Sequence, residues 1–433
     1  MQKTFIYILG LSLCSAALHA QETVYPARPQ QGPVFLKNAT IHVGNGQVIA
    51  NGIIGFNNGK ITAVGADVPI PSGDVKVYDA DGQHIYPGLI APESNLGLTE
   101  VEAVRATNDY DEVGEINPSV RSIVSYNTDS KVIGTLRTNG ILLAQIVPQG
   151  GLVTGSSSVV QLDAWNWEDA AYKTDNGIHF FMPRLMPRSN PFGSSASGPA
   201  TDAVKAAMEK VTSVKNFLRE ARAYNTSDKH DETNLKYAAV KGLFDKTQKF
   251  YIHADLVKEL IVAADFAKEF GIDVVIVGGT DAWMITDVLK KYNIPVILSQ
   301  PHNLPVMQDD DVDQPYKTPA QLQKAGILFC ISNEGFWQQR NLPFNAGTAS
   351  AYGMTKEEAL SAITLNAAKI LGIDDKTGSL EVGKDANIVI SAGDILDMKS
   401  SVITRAFIQG REVSLVDKHK QLYERYKYKY GLK

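Results

Sequence analysis

The chain is poor in cysteine, in surplus positive charge and in long apolar runs, and each shortage removes a class of protein. Two cysteines, Cys14 and Cys330, stand among 433 residues. If Cys14 leaves with a targeting segment, Cys330 has no partner and a disulfide-stapled scaffold is excluded. Cys330 lies in the apolar run Ile327-Leu328-Phe329-Cys330-Ile331 and reads as inert core. The 42 Lys and Arg against 47 Asp and Glu give a net charge of −5. That leaves nothing to neutralise a phosphate backbone, so nucleic acid is not an expected partner. The run from Phe5 to Leu13 is too short for a permanent membrane span. No Gly-Lys-Ser/Thr phosphate loop and no internal repeat are present.

What is there begins with a leader. Lys3, the apolar run and the small residues of Ser15-Ala16-Ala17-Leu18-His19-Ala20 form a secretory signal peptide expected to be cut after Ala20. The protein is therefore expected to be exported, to a periplasmic or extracellular place. A lipoprotein fits less well, because Leu13 precedes Cys14 where a lipobox carries a small residue. Residues 21–33 read as a flexible lead-in rich in Pro and Gln. From Val34 to Tyr86, β-rich runs alternate with turns such as Asn57-Asn58-Gly59. Strand alternation returns near residue 380 and continues to about 415. The two ends are expected to pack as one composite β-sandwich, with a barrel over 87–379 and a tail over 416–433.

The middle of the chain has a different rhythm. Phe250–His253, Ile272–Val277, Ile294–Leu298 and Ile327–Ile331 are short apolar runs. Helical spacing separates them, as at Leu256, Leu260, Ile261, Ala264 and Ala267 before Gly271. Thr355-Lys356-Glu357-Glu358 is a capping box that opens a helix predicted through Leu371. Strands alternating with helices at this pitch imply parallel βα units, and this many units favour a closed barrel. Thr201–Lys241 is charged and helical, and reads as surface helix.

Four motifs then resemble one family. They are Tyr86-Pro87-Gly88 leading into Leu89–Gly97, the strand carrying His253, the stretch Asn341-Leu342-Pro343 with Ala346-Gly347, and the run Gly378 to Ile390. Together they resemble the amidohydrolase superfamily, most closely its imidazolonepropionase-like branch. The resemblance implies a (β/α)8 TIM-type barrel with a composite β-sandwich, and a site at the C-terminal ends of the barrel strands. It also implies one or two divalent metals held by His-x-His on the first strand, a carboxylated Lys or a Glu on the fourth, His on the fifth and sixth, and Asp on the eighth. Such metals activate water and polarise a carbonyl.

Position by position, the chain keeps little of that set. Glu93 and Asn95 stand where His-x-His belongs. His253 matches the fifth-strand histidine. Gly278-Gly279 offers no sixth-strand ligand, and Asn333 stands at the eighth-strand aspartate. Lys246 and Lys249 are weak fourth-strand candidates. The resemblance thus leaves no intact metal site, only vestigial positions at Glu93, Asn95, His253 and Asn333, and room for at most one zinc ion.

The expected catalytic residues are His253, as base or ligand, and Glu93 as its partner carboxylate. Asn95, Asn333, Asp281, Gly150 and Gly151 are expected to contact substrate. Asp281 also fits a helix N-cap, and Gly150-Gly151 also fits a plain turn. The acidic stretch Asp109, Asp111, Glu112 and Glu115 follows the first strand, where a cation or an amine could bind. The expected function is hydrolysis of a C–N bond in a small molecule or short peptide, at a mononuclear or metal-free site. The alternative is a non-catalytic binding protein on the same scaffold, a partner of an intact paralogue or a homo-oligomer.

Overall fold

A computed structural model describes residues 25–185, 200–227, 229–230, 232–305 and 309–432. The signal-peptide segment, with Cys14, lies outside the described residues.

Sixteen strands make two sheets. The first contains β1 (Val34–His42), β2 (Val48–Asn57), β3 (Lys60–Gly65), β4 (Lys76–Asp79) and β5 (His84–Pro87). The chain then builds the second sheet: β6 (Leu89–Ser94), β7 (Ile141–Ile146), β8 (Val153–Gln161), β9 (Ala171–Phe181), β10 (Lys249–Ala254), β11 (Val274–Gly278), β12 (Val296–Leu298) and β13 (Phe329–Ile331). It returns to the first sheet with β14 (Ile388–Ser391), β15 (Ile403–Ile408) and β16 (Arg411–Glu412). The first sheet is ordered β16-β15-β14-β5-β1-β2-β3, with β4 also on β1. Residues from both ends of the chain therefore share one sheet. Its core is Leu36, Ile41, Ile54, Phe56, Ile388 and Phe407, all almost fully buried. Asn58 and Gly59, at φ +49° and +78°, make the tight turn expected of the Asn-Gly pair between β2 and β3.

The second sheet runs in chain order from β6 to β13 and curls into a nearly closed barrel. The seam between its edge strands is bridged by Ser332, whose hydroxyl donates to the Pro92 carbonyl at 3.2 Å. The barrel is the α/β fold that the motifs imply, with one departure. β8 runs antiparallel to both neighbours, so β7, β8 and β9 form a meander. The connections Val147–Leu152 and Leu162–Ala170, the second holding only the one-turn helix Trp167–Ala170, are too short for a crossover, and the antiparallel direction joins such strands.

Helix boundaries follow local chemistry. The helix Val257–Phe270 stops at Gly271, φ +64°, where the left-handed conformation suits glycine. Thr355 and Glu358 form the capping box reciprocally, at 3.2 and 2.8 Å. The helix predicted from there through Leu371 is instead two helices, Lys356–Ala362 and Leu365–Leu371. The break has a visible cause. The Ile363 carbonyl accepts the N–H of Ile90 in β6 at 3.0 Å, and the Thr364 hydroxyl donates back to the Leu360 carbonyl at 2.7 Å. Among the described residues no helix is long and apolar enough to cross a membrane.

Candidate active site

A cavity of about 460 Å³ opens where the parallel strands end. β6 delivers Glu93 and Asn95 to its wall, β10 delivers His253, and β11 delivers Val277 and Gly278. Asp255, Ser299 and Glu334 join from the loops that follow.

The local geometry of β6 aims Glu93. Pairing with β7 loses register between Ala91 and Ser94, a bulge at Pro92-Glu93. Pro92 has no N–H to give the ladder, and Glu93 sits at φ +55°, which L-residues rarely adopt. The left-handed twist re-aims the carboxyl into the cavity. Its Oε1 stands 3.9 Å from His253 Nδ1, and Oε2 accepts a long hydrogen bond from the Ser332 hydroxyl at 3.4 Å.

A chain of buried side chains runs from that pair back through the barrel. His253 Nε2 meets His179 Nδ1 at 2.9 Å, and His179 Nε2 meets the Ser157 hydroxyl at 2.8 Å. Ser157 also donates to Asn176 Oδ1 and accepts from Gln145 Nε2, at 2.9 and 3.0 Å. Gln145 Oε1 accepts the Glu93 backbone N–H at 3.2 Å, so the path closes on the residue where it began. Asn176 Nδ2 donates to the Tyr251 hydroxyl, which donates to the Ile370 carbonyl.

The two ends of this network fix its direction. A backbone N–H can only give and a carbonyl can only accept. Tyr251 gives to Ile370, so it accepts from the Asn176 nitrogen. The Asn176 oxygen then takes the Ser157 proton, and Ser157 must accept from His179 Nε2–H. His179 Nδ1 is left with a lone pair and accepts from His253 Nε2–H. His253 Nδ1 is thereby the bare nitrogen, and it faces Glu93 and the cavity. Ring stacking locks the geometry. Phe181 lies 3.8 Å from His253 centroid to centroid, and Tyr251 lies 4.7 Å from His179.

Electrostatics agree with neutral rings. Burial pushes His253 down to about 3, and burial together with the neighbouring imidazole holds His179 well below the usual histidine range. Burial, helped by the negative charges of Glu334 and Asp255, pushes Glu93 up to about 8. Near neutral pH the pair is a protonated carboxyl beside a neutral imidazole.

The structure separates the other expected site residues. Asn95 lines the cavity with His253 and Glu93. Asn333 lies behind the wall: its amide nitrogen donates to the Gln338 carbonyl, and its own carbonyl accepts from Gln339 Nε2. Asp281 is also off the cavity. Its carboxylate accepts the Val257 N–H at 2.9 Å, so it caps a different helix from the one that follows it. Gly150 and Gly151 make a close turn against the acidic loop; a Cβ on Gly150 would stand 2.6 Å from Asp111 Cβ, and one on Gly151 would stand 2.7 Å from the Gly114 carbonyl. Their neighbour Gln149 reaches the cavity instead. Lys249 opens β10 at the opposite end and donates to the carbonyls of Lys369 and Ile370. Lys246 pairs with Asp273. The residues that sequence reasoning missed are His179, Ser157, Gln145 and Asn176. The one trace in the sequence is that each is a polar residue set in or beside a run of strand-forming residues; their burial is visible only in the fold.

Comparison with known proteins places this architecture. The amidohydrolase family profile matches residues 327–413. The imidazolonepropionase of Mesorhizobium japonicum is 25% identical over 378 residues, covering 79% of this chain and 87% of that protein. That of Brucella anthropi is 26% identical over 371 residues, with the same coverage. The crystal structure of an amidohydrolase from Thermotoga maritima superposes with a TM-score of 0.76 at 26% identity, over 88% of this chain and 99% of that one. These matches support the amidohydrolase superfamily, hydrolases that act on carbon–nitrogen bonds, and within it the imidazolonepropionase-like kind.

The family typically uses a divalent metal. Among the described residues, no three His, Cys, Asp or Glu side chains converge so as to hold an ion. Glu93 and His253 are two such groups, but their neighbours on the family's ligand positions are amides and glycine. The residues present do not fit the usual metal centre, and no chemical step is derived through one.

Proposed function

We propose that this protein hydrolyses a C–N bond of a small molecule or short peptide, with Glu93 and His253 as the acid–base pair. The carrying observation is the 3.9 Å approach of Glu93 Oε1 to His253 Nδ1 on the cavity wall, with the proton on the carboxyl and the lone pair on the ring. A group that titrates near 8 is suited to proton transfer at neutral pH. Water attacks the carbonyl carbon as His253 Nδ1 takes its proton. The C–N bond breaks as Glu93 gives its proton to the departing nitrogen. The carboxylate so formed stabilises the imidazolium left by the attack, and return of the proton from ring to carboxyl restores the pair. Asn95 orients the substrate from the same wall. Export to the periplasm or the cell exterior belongs to this reading, supported by the leader pattern from Lys3 to Ala20.

The test is turnover on a panel of amides, lactams and dipeptides, before and after treatment with chelator. Turnover that survives the chelator and is lost in both Glu93→Gln and His253→Ala supports the mechanism. Stoichiometric zinc that is lost in His253→Ala, with activity following the metal, overturns it. No turnover on any member would favour a binding protein on the same scaffold.

A further inference from the structure

The cavity is lined by acceptors. Asn95 lines the cavity and is 6% exposed, and its Oδ1 is buried without a hydrogen-bond partner. A buried carbonyl left so is destabilising unless a ligand supplies a donor. His253 presents a lone pair, for the reasons given above. Asp255 and Glu334 face the same space, and Glu102 stands at its margin. Asp255 takes one donor, the Thr280 hydroxyl at 2.9 Å, which leaves acceptor capacity on its carboxylate. Among the described residues the one cationic side chain on the lining is Arg184, which is exposed.

An anionic ligand would be repelled by these carboxylates, and a neutral one would leave their charge uncompensated. We propose that the substrate carries a cationic nitrogen, an ammonium or guanidinium group, whose N–H donors are taken by Asn95 Oδ1 and the carboxylates of Asp255 and Glu334. This deepens the proposed C–N hydrolysis and rests on the same cavity being its site. The positive charge enters a partly enclosed space in which carboxylates outnumber the single arginine of the described lining, where attraction is stronger than on an open surface. The scissile carbonyl then lies toward Glu93 and His253, and the cationic end lies toward Asn95, Asp255 and Glu334.

Calorimetry with agmatine as probe tests the assignment without requiring turnover. Agmatine carries both cationic groups on a short chain. Agmatine is expected to bind the full-length protein, while succinate and an uncharged diamide of similar length do not. Asn95→Leu is expected to raise its Kd at least tenfold. Glu334→Gln, at an exposed position whose loss leaves the core intact, is expected to raise it several-fold and to weaken the salt dependence. Equal or tighter binding of succinate or the diamide would overturn the proposal, and so would agmatine binding unchanged in both variants. Stoichiometric zinc binding that displaces agmatine and disappears in His253→Ala would replace the organic cation with a metal. If agmatine binds as described but no C–N bond is cleaved, the hydrolytic reading fails and the ligand class stands. If neutral amides are cleaved and agmatine does not bind, the ligand class fails alone.

Discussion

Two histidine pairs in this molecule are built alike and finished differently. At the junction of the β domain and the barrel, His42 Nε2 meets His84 Nδ1 at 3.0 Å, and both rings stack on Tyr86. His42 Nδ1 is closed off by Glu357 Oε1 at 2.7 Å. In the barrel, His253 meets His179 at 2.9 Å, with stacking on Phe181 and Tyr251, but Glu93 stops at 3.9 Å. The junction pair has a ring nitrogen and a carboxylate in direct contact. The barrel pair has a gap, and the gap opens on a cavity. A carboxylate bonded directly to its ring joins two domains; one held off can exchange a proton with something placed between. The difference of 1.2 Å follows from backbone: Glu357 lies in the first turn of a regular helix, whereas Glu93 is turned aside by a bulge and a left-handed φ.

The sharpest way to break this comparison is to exchange the consequences. His253→Ala is expected to lower kcat/KM by about 10²–10⁴-fold, the range of a lost acid–base group, with His84→Ala leaving kcat/KM unchanged. Steady-state kinetics on any substrate found in the panel reads both, and an equal loss at His84 would dissolve the distinction.

Next in size is the scaffold behind the barrel pair. A Cβ on Gly177 would stand 2.2 Å from the Tyr251 ring and 2.5 Å from the Lys249 carbonyl. Gly177→Ala is expected to destabilise the fold by about 2–3 kcal/mol and to disturb the ring that stacks on His179. Chemical denaturation measures it.

The pH profile of stability separates the two pairs again. Glu93 ordinarily titrates at 4.5 and is raised to about 8, so its contribution is full below 4.5 and is lost as pH climbs through 8. His253 ordinarily titrates at 6.5 and is lowered to about 3, so its contribution is full above 6.5 and is lost as pH falls through 3. Between 4.5 and 6.5 the two slopes oppose. The pair alone therefore gives a plateau there, with stability declining on both sides. Glu93→Gln should remove the alkaline decline while keeping the acid one, and thermal melts across that range check it.

The smallest effect is expected at the junction. Glu357→Gln removes the charge beside His42 and should cost about 1 kcal/mol, visible as a lower Tm without a change in KM.

The strand rhythm from Phe250 to Ile331 and the Pro87-Gly88 entry were legible because each apolar run becomes a buried strand of one barrel. Glu93, Asn95 and His253 were legible as a group because they occupy matching strand ends. Asn333 and Asp281 were not separable from them by position alone; what sets them apart is where the loops beyond them turn, and Gln338 and Val257 take their polar atoms. The broken helix at Ile363 was invisible because its cause is the N–H of Ile90, distant in sequence. His179 escaped notice for a related reason. Its partners come from two other strands, and nothing local says that a lone histidine in an apolar run is wired to another.

The reversed strand has a consequence for how the site comes into being. Gln145, Ser157, Asn176 and His179 all ride on β7, β8 and β9, which are sequence neighbours joined by short turns. Those three of the eight barrel strands can zip up locally, with little loop-closure entropy to overcome. The wiring is then assembled before the long-range closure that brings Glu93 from one flank and His253 from the other, and the two reactive groups dock onto a frame already set.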